Sequence, residues 1–184
     1  MTNTVLIIDL EATCWERRTE VQQNEIIEIG SVLVRNQEII YKHSWFVRPI
    51  LNPKLSDFCK ALTSITQEEI DTAETFPIVI EQFKSAVESA AGELLQNLVF
   101  LSWGNYDRKQ FVNDCNLHKV PYPFGQHVNL KEKFAEKFKV KKCGVPKALK
   151  HLNLDFIGTH HRGIDDATNI AKIFIKALTP MSLI

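Results

Sequence analysis

No apolar run in this sequence approaches the roughly 20 residues that a membrane-spanning helix needs. The first such run, Val5-Leu6-Ile7-Ile8, is too short for a signal-peptide core and has no basic flank. A soluble, cytoplasmic protein is expected. Cysteine pairing motifs are missing as well. Cys14, Cys59, Cys115 and Cys143 are scattered, with no CxxC pair and no zinc-like spacing, which predicts reduced thiols rather than a disulfide framework or a structural zinc site. Charge of one sign is also absent, since 22 Lys and Arg balance 22 Asp and Glu. That balance argues against a chain that holds nucleic acid by bulk attraction, because such domains are often strongly basic. No internal repeat and no low-complexity tract interrupts the 184 residues, of which 45% are hydrophobic. This length and composition predict one domain spanning 1–184.

The neutral average hides one local asymmetry. Lys131, Lys133, Lys137, Lys139, Lys141, Lys142, Lys147 and Lys150 face only Glu132 and Glu136, eight against two, a local charge of +6. Such a segment reads either as a phosphate-facing patch or as a solvated helix face.

Val5 to Leu10 is a short β-branched apolar run that ends in an acid-rich turn, the pattern of a buried strand. Ile26 to Arg35 and Glu38 to Val47 follow as two more strands around the Asn36-Gln37 turn. Pro49 and Pro53 forbid regular pairing and mark a loop into a helical middle. Thr66-Gln67-Glu68-Glu69 fits a capping box, and Pro77 suits the first turn of a helix to about Ala91. Leu98 to Trp103 reads as a strand and Asp107 to Leu117 as a helix. Gln126 to Leu130 reads as a last short strand, with helices around 131–138, 145–152 and 165–178. Three hairpin-like strands followed by alternating helices and strands predict an α/β protein. Its sheet is mixed, three antiparallel strands and then parallel ones, flanked by helices. An RNase H-like topology matches that order best.

Asp9 and Glu11 stand two residues apart at a strand end, so both side chains point to one face. They are either a solvated strand end or a carboxylate pair that needs a cation between its members. Asp107 lies in the first turn after a strand, where helix capping explains an acid equally well. His161-Arg-Gly-Ile-Asp-Asp166 sets a histidine five residues before an aspartate, at the mouth of the last amphipathic helix. His160 and Asp165 share that spacing, and neighbours on a helix point about 100° apart, so only one pair can face the site. Four carboxylates without cysteine or histidine clusters are hard oxygen ligands, suited to Mg²⁺ or Mn²⁺.

Four segments, in this order, together resemble the DEDDh exonucleases. They are Asp9-Leu-Glu-Ala-Thr-Cys-Trp15, Leu55-Ser-Asp-Phe-Cys59 with Leu62-Thr63, Ser102-Trp-Gly-Asn-Tyr-Asp107 and His160-His-Arg-Gly-Ile-Asp-Asp166. The Ala-Thr-Cys-Trp and Ser-Trp-Gly segments are most similar to the enhanced-RNAi type, 3′-to-5′ exoribonucleases that trim histone messenger RNA, small RNAs and ribosomal RNA ends. The resemblance implies that Asp9, Glu11, Asp107 and Asp166 are the metal-site acids and His161 the general base. It implies two Mg²⁺ ions, with Mn²⁺ able to substitute, and release of nucleoside 5′-monophosphates from RNA 3′ ends. It further implies terminal-nucleotide contacts near Ala12, Thr13 and Trp15. Phe58, Leu62 and Ile65 read either as an apolar wedge against the terminal base or as helix core.

Three other readings use the same residues: an exonuclease acting on single-stranded DNA, a binding module with a dead site, and a protein-interaction partner. The eukaryotic relatives often carry an added RNA-targeting module, for which 184 residues leave no room.

Overall fold

The computed structural model describes residues 4–17 and 23–178. Its centre is strand β1, Thr4–Ala12, almost entirely buried because it has a neighbour on each side. β2, Ile26–Arg35, pairs with it antiparallel, and β4, Val99–Ser102, pairs with it parallel. β3, Glu38–Phe46, extends the sheet beyond β2, and β5, His127–Asn129, extends it beyond β4, giving the order β3-β2-β1-β4-β5. Three antiparallel strands followed by parallel ones is the expected mixed sheet. Asn36 and Gln37 both adopt positive φ, 52° and 67°. Two consecutive left-handed residues match the twist of the strands they join, so the β2–β3 connection is tight.

Side chains alternate across β1. Val5 and Ile7 enter a core built with α5 (Leu130–Phe138), α6 (Val145–His151) and α7 (Gly163–Ala177). Leu6, Ile8 and Leu10 enter the opposite core, with α3 (Phe76–Ala91) and α4 (Tyr106–His118). By the same period of two, Asp9 and Glu11 continue the α7 face of the strand. β2 follows suit, since Gly30 is the partner of Asp9 and Glu28 the partner of Glu11.

Two differences from expectation bear on the site. β1 runs on to Ala12, so Asp9 and Glu11 lie within paired strand rather than at its frayed end. The loop at Pro49 and Pro53 leads into a helix earlier than the capping box at Thr66, namely α1, Asp57–Thr63, capped by Ser56, whose hydroxyl accepts from the Cys59 amide. The capping box at Thr66 and Glu69 is present and starts α2, Gln67–Asp71. No helix among the described residues is long and apolar enough to cross a membrane.

Candidate active site

The last helix reaches the sheet through two glycines. A Cβ on Gly30 would lie 2.0 Å from the Gly163 carbonyl carbon, and a Cβ on Gly163 would lie 2.9 Å from the Asp9 carbonyl oxygen. Only bare backbone permits an approach this close. Helix α7 has no side-chain cap of its own. Glu28 supplies one from β2, accepting from the Gly163 amide at 2.9 Å, the Ile164 amide at 3.3 Å and Arg162 Nε at 3.3 Å. A carboxylate at a helix N-terminus meets free amides and the positive end of the dipole. Sequence reasoning missed Glu28, which looks like any acid in an apolar strand.

This docking brings Asp166, in the first turn of α7, over Asp9 and Glu11. One carboxylate oxygen from each of the three lies within 4.8 Å of the others. Asp107 closes the group from α4, and its Oδ1 accepts from the Leu10 amide at 3.1 Å, beyond the last β1–β4 pairing at Ile7 and Leu101. Asp9, Glu11, Asp107, His161 and Asp166 all line one open cleft of about 360 Å³. The two aspartates of the His–Asp repeat face different ways. Asp166 is 3% exposed and faces the acids, whereas Asp165 turns away and accepts from the Thr159 amide at 2.8 Å. On the histidine side both residues line the cleft. The His160 Nδ1 sits 3.0 Å from Asp166 Oδ1, the His161 amide donates to Asp166 Oδ2 at 2.7 Å, and the two rings stack 4.0 Å apart.

The acids hold one another's protons. Burial pushes the Asp9 carboxyl well above the usual range, reinforced by Asp107, Asp166, Glu11 and Glu28. Burial, then Glu28 and Asp166, push Glu11 up to about 8. Burial raises Asp107 to about 6 against the opposing amide of Leu10, and raises Asp166 as well. Burial and His160 lower His161, so its ring is neutral at pH 7. Oxygen donors this close, short of positive charge, fit a hard divalent cation. Asp9, Glu11 and Asp166 form the tight triplet, and Asp107 stands beside it with one oxygen already engaged.

The expected substrate contacts separate into two groups. Ala12 and Leu62 line the cleft, and Leu62 is 36% exposed there. Phe58 is exposed on α1 and Trp15 is half-buried, but neither lines the cleft. Of its two readings Ile65 takes the core one: it is fully buried with Ile27, Leu55, Cys59 and Ile70, because α1 ends before it and turns the chain inward. The Thr13 side chain is 2% exposed, its hydroxyl accepting from the Glu25 amide at 2.9 Å. The cleft also contains residues that the sequence reading passed over. Tyr106, Trp103, Gly144 and Val145 line it, and Tyr106 is 52% exposed. An aromatic residue directly before a site acid was the available signal for Tyr106.

The sheet order and the acidic cleft beside its central strand are those of the RNase H-like exonuclease fold. A family model described as Exonuclease (RNase_T) matches residues 6–174, and the chain belongs to that family. Human 3′-5′ exoribonuclease 1 is 33% identical over 181 residues, which cover 95% of this chain and 52% of the human protein. The chain thus spans about half the length of that relative. The probable 3′-5′ exonuclease KapD of Bacillus subtilis is 33% identical, with 94% of this chain and 83% of that protein covered. Among solved structures, the nuclease domain of 3′hExo, described as a DEDDh family member bound to rAMP, superposes with a TM-score of 0.90 at 33% identity. That superposition covers 96% of this chain and 92% of that one.

Proposed function

We propose that the protein is a metal-dependent 3′-to-5′ exoribonuclease that releases nucleoside 5′-monophosphates from RNA 3′ ends. The observation that carries this reading is the convergence of Asp9, Glu11 and Asp166 within 4.8 Å in one cleft with Asp107 and His161. A family whose relatives include a named exoribonuclease and a domain bound to a ribonucleotide supports it.

Asp9, Glu11 and Asp166 would hold one divalent ion, and Asp9 with Asp107 a second, with Mg²⁺ the expected metal and Mn²⁺ a substitute. Two such ions supply positive charge to the attacking and leaving oxygens of an in-line displacement at phosphorus. His161, neutral at pH 7, accepts a proton from the attacking water, help that is typically worth about 10²–10⁴-fold. The His161 amide bond to Asp166 ties the ring's position to that of the acid. His160 donates to Asp166 from the other side and fixes the carboxylate's orientation. The bond between phosphorus and the 3′ oxygen of the penultimate nucleotide breaks, so the terminal nucleotide leaves with its 5′ phosphate. Leu62 and Tyr106 flank the cleft and receive the terminal base by apolar and stacking contact, which tolerates every base.

Digestion of 5′-labelled single-stranded RNA and matched DNA with Mg²⁺ or Mn²⁺, wild type beside Asp9→Ala, tests the reading. A metal-dependent ladder shortening from the 3′ end of RNA, absent in the variant, is the expected result. Preference for DNA overturns the substrate assignment, and cleavage of neither overturns the activity.

A further inference from the structure

Apart from Lys131, whose charge works against the burial that raises Asp107, the lysine excess up to Lys150 does not line the acidic cleft, yet it folds beside it. The segment forms α5, a connection through Lys139–Gly144, and α6. Two of its lysines are committed inside the chain. Lys142 pairs with Glu132 at 2.5 Å, and Lys137 donates to the Ala177 carbonyl. Lys139, Lys141, Lys147 and Lys150 are exposed, and among the described residues none of them forms an ion pair. Of the segment's two acids, Glu132 pairs with Lys142, and Glu136 is exposed on α5.

Between α5 and α6 lies a groove of about 290 Å³, lined by Phe134, Val140, Lys141, Cys143, Lys147 and His151. Its wall is continuous with that of the acidic cleft. Cys143 lines the groove, while the next two residues, Gly144 and Val145, line the cleft. Trp103 belongs to the cleft lining and donates from Nε1 to the Cys143 carbonyl at 2.8 Å, fixing the shared wall to the end of β4. A groove that offers cations at its rim and an apolar and aromatic floor has the composition that binds single-stranded nucleic acid. Phosphates meet the cations, and bases lie on ring or aliphatic surface.

We propose that the groove between α5 and α6 is an upstream subsite for single-stranded RNA, where Lys141 and Lys147 hold backbone phosphates 5′ to the scissile bond. This inference rests on the exonuclease reading above. It assigns the local charge of +6 a use that a neutral chain otherwise lacks. Attraction is concentrated where the strand leaves the cleft, and the cleft itself keeps its acids for cations. Substrates long enough to reach the groove gain affinity from it, and a dinucleotide does not.

The test compares wild type with Lys141→Glu/Lys147→Glu on a dinucleotide and on a single-stranded RNA of about ten nucleotides, a length within the span of known single-strand sites. The expected result is a rise of about tenfold or more in KM for the longer RNA at low salt, with kcat and the dinucleotide reaction unchanged. Loss of two phosphate contacts should also flatten the salt dependence of log affinity by about 1.4, at roughly 0.7 per contact for single strands. A Lys141→Gln/Lys147→Gln variant, with a smaller effect in the same direction and an unchanged melting temperature, separates lost attraction from damaged folding. Equal KM and equal salt slope in wild type and both variants overturn the subsite. Fluorescence anisotropy of the labelled ten-nucleotide RNA keeps the two claims distinct. If wild type cleaves nothing, the exonuclease reading fails. Binding that weakens in the charge-reversed variant still supports the groove, and binding that does not change overturns it.

Discussion

Gly30→Ala adds one methyl group where α7 meets β2, and it should disable the site without altering any of its acids. The added carbon would stand 2.0 Å from the Gly163 carbonyl carbon, 2.2 Å from its oxygen and 2.3 Å from the Ile164 nitrogen, where ordinary contact begins at 3.4 Å. All three neighbours are backbone, so no flexible side chain can yield. The first turn of α7 must retreat by well over an ångström. It cannot slide instead, because Gly163 is already pressed against the Asp9 carbonyl.

Three effects combine. Alanine in a strand interior is favoured over glycine by about 0.5–1 kcal/mol. Overpacking costs about 1–3 kcal/mol. Pulling the Gly163 and Ile164 amides away from Glu28, which is fully buried, costs about 1–3 kcal/mol more. The unfavourable effects win, and the net loss should be about 1–5.5 kcal/mol, read as a lower urea midpoint with an unchanged slope. Because Asp166 rides on the same turn, the retreat also opens the acid triplet. A misplacement of about 1 Å costs on the order of 10²-fold in rate, and RNA trimming under saturating substrate should fall by that factor. A Gly30→Ala protein that unfolds at the wild-type urea midpoint and trims RNA at the wild-type rate would refute the close-approach argument.

Glu11→Gln should abolish cleavage yet stabilise the protein in chelator. With its folded pKa near 8 and an unfolded value of about 4.3, Glu11 binds an extra proton in the folded state, so stability falls as pH rises between those values. In chelator the wild-type melting temperature should be lower at pH 8.5 than at pH 5.5. The variant should flatten that slope and melt higher at pH 8.5, by about 2–4 °C for each kcal/mol gained. A lower melting temperature for the variant at pH 8.5 contradicts the charge argument. Thr13→Val leaves the Glu25 amide without its acceptor and should cost about 1–3 kcal/mol of stability with KM unchanged. A raised KM in a stable Thr13→Val protein would return Thr13 to the substrate contacts. Tyr106→Ala should raise KM for RNA by roughly five- to 150-fold, the equivalent of about 1–3 kcal/mol of stacking on one base, while Tyr106→Phe stays near wild type. Equal KM for both variants removes Tyr106 from the base contacts.

Local periodicity made most of the fold legible. β2 runs from Ile26 to Arg35 as its apolar pattern predicts, and the Asn36-Gln37 turn and the Thr66 capping box act over two to four residues. The bounds of α1 were not legible because it is short and its apolar residues do not form a buried stripe: Phe58 and Leu62 are exposed while Cys59 is buried. Ile65 belongs by its chemistry to either the cleft or the core, and only the turn after α1 decides between them. The acids of the site were legible as residue types in order, since a strand's period of two puts Asp9 and Glu11 on one face. Their assembly with Asp166 depends on Glu28 and Gly30, whose partners lie more than a hundred residues away in the chain. No window of sequence contains that relation.

Two kinds of buried acid stand out in this chain, and the difference explains why one kind marks the site. Glu25 accepts from the Ile50, Leu51 and Asn52 amides, and Glu28 from the Gly163 and Ile164 amides. A carboxylate surrounded by backbone donors is already neutralised by partial charges, so it fixes a loop or a helix end and has little attraction left for a cation. Asp9 and Glu11 face other carboxylates instead, and burial with mutual repulsion raises both. In the absence of a cation that arrangement weakens the fold at neutral pH. With a cation bound, the same repulsion becomes affinity, because the free energy withheld from folding is returned on binding. Sequence reading sees an acid in an apolar strand in both cases. Glu28 and Glu11 are partners across the sheet, and what separates them is what else reaches each one: the α7 amides and the Ser44 hydroxyl donate to Glu28, whereas Glu11 meets further carboxylates.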